Sequence, residues 1–266
     1  MIRNNVTDEQ GENRYNIRVL DRAFRILALL SDGKPRSLQE LSGEIDLSTS
    51  TTFRQLATLD HYGYVQRNEQ TNQYTLGISC LELARAYTEG NDLRRTALPE
   101  LEKLRNETRE TVHLAILDKM EIVYIEKLQG LHAIGLMGSR AGGRAPAYCT
   151  GVGKVLLAHQ APEVIKRHFM RRKLQRYTDN TITSYPELVL ELASIHSQGY
   201  ALDHGEHEYQ VRCVAAPIFD MKGDVIAGLS ISGPADRMEP IEQNRVLIEK
   251  AKRVANNISV KLGYSM

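Results

Sequence analysis

Nowhere in the 266 residues does an apolar run approach the roughly 18 that a membrane-spanning helix needs. The opening MIRNNVTDEQGENR also lacks the apolar core of a secretion signal, so a cytoplasmic protein is expected. Cysteine is scarce: Cys80, Cys149 and Cys213 are odd in number and far apart. That spacing argues against a disulfide framework and against a Cys-x-x-Cys metal site, leaving three reduced thiols. A surplus of one charge is missing too, since 34 Lys and Arg meet 33 Asp and Glu for a formal net charge of +1. Bulk charge therefore does not announce a nucleic-acid binder, because non-specific DNA affinity comes mostly from phosphate neutralisation. Between residues 15 and 77, seven bases are matched by seven acids. Any case for DNA must rest on where particular side chains stand.

What is present is the composition of an ordinary globular chain, 42% hydrophobic and 25% charged. Such a chain folds, and at this length it is comfortable as two domains, since single cores stop growing near roughly 250 to 300 residues.

In the first part, Val19, Leu20, Ala23, Phe24, Ile26, Leu27 and Leu30 recur at three- and four-residue spacing, which predicts a helix with a wide buried face. Asp32-Gly33-Lys34-Pro35 ends it. Ser37 then caps a short helix carrying Leu38 and Leu41, with Glu40 completing a capping-box pattern, and this helix stops near Asp46. Ser48 caps a third helix, whose Phe53, Leu56 and Leu59 are expected to face inward. Its other face, near the helix start, offers Ser48, Thr49, Ser50, Thr51, Arg54 and Gln55, hydroxyls, an amide and a guanidinium suited to phosphates and base edges. Residues 64–67 and 73–76 flank a polar turn at 68–72, which predicts a hairpin wing. Ser37, Thr52 and the wing's Arg67 complete the candidate DNA-contacting set. The alternative is a small helical bundle whose hydroxyls merely cap; the order helix, short helix, turn, helix, hairpin favours a winged helix-turn-helix.

Leu-Gln-Glu-Leu at 38–41, Leu47-Ser48-Thr49-Ser50-Thr51-Thr52-Phe53-Arg54 and Leu59-Asp60-His61-Tyr62-Gly63-Tyr64-Val65 resemble the winged domain of IclR-family regulators. One departure is Thr49, which stands where the family usually carries a basic residue. The resemblance runs on to Tyr264. It implies an α+β protein: a flexible start at 1–14, a DNA-binding domain at 15–77, a linker helix at 78–92, and an effector-binding domain at 93–266 with a GAF-like or profilin-like sheet. Ile78, Leu81, Leu83, Ala84 and Tyr87 independently predict an amphipathic helix in the linker, broken at Gly90-Asn91-Asp92, with a further helix from around Ala97. Beyond it, short turn-bounded strands are expected at 112–117, 122–126, 134–137, 200–203, 213–219 and 225–232, with helices such as 186–197 and 241–262 between them. That pattern predicts a largely antiparallel sheet flanked by helices.

Along 225–232, Val225, Ala227, Leu229 and Ile231 share one face, and Gly228, Ser230 and Ser232 the other. The small hydroxylated face suits a pocket floor, because hydroxyls aimed into packed core would need partners of their own. Cys213 shares a face with Ala215 and can border the same space, or be a small buried hydrophobe. In Cys149-Thr150-Gly151-Val152-Gly153-Lys154 a glycine-containing turn enters an apolar helix, a place where exposed amides favour an anion; it is not a Walker A loop. Together these features suggest a small carboxylate ligand. The resemblance implies that Gly151, Val152, Asp203, Cys213, Ser230 and Ser232 hold the effector. Residues 178–183, 206–208 and 228–233 look closest to the branch controlling sugar-acid catabolism, including 2-keto-3-deoxygluconate pathways.

Other chemistry is weaker. Asp203-His204-Gly205-Glu206-His207-Glu208 is dense in metal-ligand types but lies on a loop without the register that fixes coordination geometry, so no metal and no cofactor are expected. Cys213 with His204 or His207 would be a thiol nucleophile and base, yet the sequence shows no orienting group or oxyanion site, so an enzyme is the alternative class. A sensor that has lost DNA binding is the third. The expected partners are double-stranded DNA carrying a partly palindromic operator, a small carboxylate, and further copies of the chain in a dimer or tetramer.

Overall fold

The computed structural model describes residues 17–132 and 138–265. The expected strand at 134–137 and the flexible start at 1–14 lie outside them. The chain divides into two compact units, Met1–Gly90 and Asn91–Met266.

The smaller unit is built from α1 (Arg18–Leu30), β1 (Arg36–Ser37), α2 (Leu38–Glu44), α3 (Thr49–His61), β2 (Val65–Arg67), β3 (Gln73–Leu76) and α4 (Ser79–Glu89). Ser37 and Glu40 form the expected capping box on α2, and the Ser48 hydroxyl accepts the Thr51 amide at the start of α3. β2 and β3 make the wing, with β1 on the outer side of β3. Ile26, Leu30, Leu41, Ile45, Leu56, Val65 and Tyr74 form the core.

Two expectations about this core need correction. Val19, Leu20 and Phe24 are not buried; Phe24 is 67% exposed, because only the C-terminal half of α1 reaches the core through Ile26 and Leu30. The inward stripe of α3 keeps Leu56 and Leu59 as expected, but Thr52 and Gln55 complete it in place of Phe53, which is 46% exposed. Spacing alone fits both stripes, and the smaller Thr52 allows α3 to approach its neighbours.

The larger unit opens with α5 (Asp92–Thr108), capped by Asn91 and beginning earlier than expected. A hairpin follows, β4 (Thr111–Asp118) and β5 (Glu121–Leu128), closed by Lys119 and Met120 in left-handed conformation, which matches the strand twist. Then come β6 (Arg144–Pro146), α6 (Gly151–Ala158), α7 (Pro162–Phe169), α8 (Tyr185–Gln198), β7 (Ala201–Asp203), β8 (Val211–Phe219), β9 (Val225–Pro234), the short α9 (Ala235–Met238) and α10 (Arg245–Lys261). α10 starts at the Asn244 cap, later than expected, because Ile241–Gln243 is a separate 3-10 turn.

The six strands form one antiparallel sheet in the order β6-β5-β4-β9-β8-β7. α5 and α10 cover one face, burying Leu101, Leu104, Val214, Leu229, Ile231, Val254 and Ile258. On the other face Ala215 and Ala115 pack with Val155, Leu156, Ile165, Leu188 and Ile195 of α6, α7 and α8. Each fully buried Leu or Ile contributes roughly 1.5 to 3 kcal/mol, so both layers anchor the sheet between them. The β9 alternation holds for Ala227, Leu229 and Ile231 but not for Val225. A register shift near Ile218 leaves Ile226 without an opposite residue and turns Val225 to the α6–α8 face.

Candidate functional site

Register brings the site together. β7, β8 and β9 lie side by side, so that Asp203 faces Cys213 and Cys213 faces Ser232; one pair along, Ala215 faces Ser230, which faces His113 of β4. Directly opposed side chains stand about 4.5 to 5.5 Å apart, enough to make a continuous polar floor. Above it sits the start of α6. A Cβ on Gly151 would lie 3.4 Å from the Cβ atoms of both Asp203 and Cys213, and one on Gly228 would lie 2.8 Å from Val152 Cγ2. The two glycines thus allow α6 to press onto the sheet. Beside this contact is a cavity that opens to solvent. All six residues expected at an effector site, Gly151, Val152, Asp203, Cys213, Ser230 and Ser232, line it.

His113, Tyr124, Ser139, Thr150, His207, Glu208 and Val211 complete the lining. His113 Nε2 lies 2.9 Å from Ser139 Oγ, and Nδ1 is 3.3 and 3.4 Å from the hydroxyls of Ser230 and Ser232. Burial, and then the Lys127 charge, push this imidazole down to about 3, so it is neutral and offers one donor and one acceptor. Burial raises the Tyr124 phenol, keeping it protonated. His113 and Tyr124 were not anticipated; the available signal was a histidine between Val112 and Leu114, on the opposite face of an otherwise apolar strand.

Thr150 does not cap α6 with its side chain, its hydroxyl donating instead to the Pro146 carbonyl at 3.1 Å. The first-turn amides of α6 are therefore without a side-chain cap beside the cavity, and the helix start favours negative charge there. The Asp203 carboxylate accepts the Gly205 and Glu206 amides at 3.0 and 2.9 Å, folding the loop at 203–208. Cys213 is raised well above an ordinary thiol by burial and by Asp203, so it is the protonated thiol and a poor nucleophile. His204 turns to Glu242 at 3.2 Å, His207 packs on Tyr177, and Glu206 pairs with Lys154. No group of three metal-ligating side chains converges among the described residues.

In the smaller unit Ser48, Thr49, Ser50, Arg54 and Arg67 are exposed, and Thr51 is half-buried with its hydroxyl 2.9 Å from that of Ser48. Arg67 donates to Asn72 Oδ1 across the wing turn at 2.7 Å. The Ser37 hydroxyl is committed to Glu40. Thr52 and Gln55 are corrections: both are buried, Thr52 donating to the Ser48 carbonyl at 3.1 Å, because they belong to the inward stripe of α3. Phe53, expected to face inward, is exposed instead.

Two family descriptions match this chain, the IclR helix-turn-helix domain over residues 19–69 and the bacterial transcriptional regulator IclR C-terminal over residues 85–260. HTH-type transcriptional regulator KdgR of Escherichia coli (strain K12) is 37% identical over 243 residues, covering 91% of this chain and 92% of its own. HTH-type transcriptional repressor AllR of Salmonella typhimurium is 31% identical over 246 residues, covering 91% and 90%. Among solved structures, an IclR homolog from Microbacterium hydrocarbonoxydans complexed with 4-hydroxybenzoate superposes with a TM-score of 0.80 at 28% identity, covering 92% of this chain and 98% of that one. Matched at both of its units and over nine-tenths of its length, this chain belongs to the IclR family of bacterial DNA-binding transcriptional regulators.

Proposed function

We propose that this regulator represses catabolic genes, and that a small carboxylate held in the cavity, a sugar acid or keto-deoxy acid, controls its grip on a partly palindromic operator. Residues 15–77 read the DNA, the helix at 78–92 links, and residues 93–266 sense. The observation that carries the reading is the convergence of uncapped α6 amides, the Ser230 and Ser232 hydroxyls and neutral His113 on one cavity. The amides suit a carboxylate, and the hydroxyls suit ligand hydroxyls that would otherwise be buried unpaired. The Asp203 charge is taken up by loop amides, while Glu208 remains as an acceptor, which favours a hydroxylated acid over a bare one. KdgR as a relative supports the sugar-acid class, and AllR, a repressor by name, supports repression. An aromatic acid is the second reading, favoured by the Tyr124–His113 ring pair at 5.0 Å and by the 4-hydroxybenzoate of the Microbacterium homolog.

Ser48, Thr49, Ser50, Thr51, Arg54 and Arg67 are the DNA-contacting residues of this reading. A dimer or tetramer is supported by exposed apolar side chains, Val19, Leu20 and Phe24 on α1 and Leu81, Leu83 and Tyr87 on α4. No described helix is long and apolar enough to cross a membrane, in keeping with a cytoplasmic regulator. Calorimetry with sugar acids, aromatic acids and short keto acids, then anisotropy on the duplex upstream of the protein's own gene, tests the reading. Binding of a neutral or cationic compound in place of every acid overturns it.

A further inference from the structure

Residues 164–178, VIKRHFMRRKLQRYT, contain six permanent cations, Lys166, Arg167, Arg171, Arg172, Lys173 and Arg176, and no carboxylate. The chain has 34 Lys and Arg; the 28 outside this segment face 33 Asp and Glu. The positive surplus of the whole protein is therefore concentrated here. All six side chains are exposed, while Phe169 and Leu174 are buried and anchor the segment to the core under α7. Among the described residues none of the six forms an ion pair; Arg176 donates only to the Asp179 carbonyl, at 3.2 Å. Lys166, Arg167, Met170 and Arg171 frame a shallow recess with Glu163 on its rim. Complementing the dipole at the end of α7 accounts for Lys166 and Arg167, but not for the four cations beyond the helix.

The unit that reads DNA is in the opposite position. Residues 17–90 carry eight bases and nine acids. Sequence-independent affinity for DNA comes from phosphate neutralisation, which such a unit is poorly equipped to supply. We infer that residues 166–176 are a second, sequence-independent DNA contact, docking on the phosphates of duplex DNA. Four of the six cations are Arg, whose fork matches phosphate oxygens in pairs and stays charged at every relevant pH. The one exposed large apolar side chain among residues 166–176 is Met170, so the surface offers a membrane little to insert.

The test uses the full chain and a labelled duplex of arbitrary sequence, with anisotropy read at several salt concentrations. Lys166→Gln/Arg167→Gln/Arg171→Gln/Arg172→Gln should bind roughly tenfold or more weakly at low salt, and its log–log salt slope should be smaller by about 3 to 4, at about 0.9 per phosphate contact. Lys173→Gln/Arg176→Gln, on the far side of the segment, should reduce the slope by about 2 and guards against a folding defect in the first variant. Arg54→Ala should reduce it by at most about 1. Slopes and affinities unchanged in both multiple variants overturn the inference. So does loss of poly-glutamate binding with the DNA line unmoved, which makes the surface a dock for acidic protein.

Discussion

Lys154 on α6 places its ammonium 2.5 Å from a carboxylate oxygen of Glu206, and both side chains are almost wholly buried directly behind the cavity loop. Burial pushes the Glu206 carboxyl up, against the opposing pull of the Lys154 charge. Burial alone would weaken Lys154 as a base, but Glu206, Glu191 and Asp203 around it hold it as a cation. The Glu206 carbonyl also accepts the Thr181 hydroxyl at 2.6 Å, and the Gly205 carbonyl accepts that of Thr178 at 2.7 Å. The loop presenting His207 and Glu208 to the cavity is thus pinned from behind. Lys154→Met should cost about 3 to 5 kcal/mol of stability, since it strands a buried carboxylate, and should weaken effector binding as well. Glu206→Gln keeps a partner for Lys154 and should cost clearly less. Denaturant titration ranks the two variants; equal and small losses would show that the pair is not what fixes the loop.

His113 gives the protein an acid limit. The unfolded imidazole takes a proton near 6.5, whereas the buried one resists until about 3, so the unfolded chain binds more protons between those values. Its contribution is complete above about 6.5 and is lost as the pH falls toward 3. Between pH 7 and pH 5 the wild type should lose about 2 kcal/mol more stability than His113→Gln. Parallel denaturation midpoints in the two proteins over that range contradict a neutral buried His113.

On the reading face, Arg54→Ala should weaken operator binding by about 1 to 3 kcal/mol with the fold intact. Gln55 should behave differently. Its Oε1 is buried without a hydrogen-bond partner among the described residues, so Gln55→Leu should leave stability unchanged or improve it, and spare the operator. A Gln55→Leu protein that folds normally but loses the operator would restore Gln55 to the DNA-contacting set.

The apolar surfaces of α1 and α4 predict the assembly. Phe24→Glu combined with Leu81→Glu should shift sedimentation at micromolar concentration toward the monomer and weaken operator binding with it. A monomeric wild type bound to DNA contradicts this.

The reading unit was legible because its signals are local: the Ser37–Glu40 box, the Ser48 cap and the polar turn at 68–72 act within a few residues. The facing of Thr52 against Phe53 was not, since that depends on how closely α3 approaches its neighbours. In the larger unit, strand alternation put Ser230, Ser232 and Cys213 beside one space, the resemblance added Asp203, and all four line the cavity. His113 and Tyr124 join them only through the β5-β4-β9 register, a pairing over more than a hundred residues that no local pattern encodes. Val225 was misplaced for a related reason, a register shift invisible in a run of alternating side chains.

The most direct test of the central claim is operator anisotropy titrated with a sugar acid or keto-deoxy acid, in the wild type and in Ser230→Ala. A ligand works as a switch only if it binds the DNA-competent and DNA-incompetent arrangements with different affinity. The account predicts that the acid weakens the wild-type grip on the operator. Ser230→Ala should need more of it, in keeping with a loss of roughly 0.5 to 3 kcal/mol in effector binding. An operator affinity indifferent to every carboxylate, or an equal response in Ser230→Ala, would contradict it.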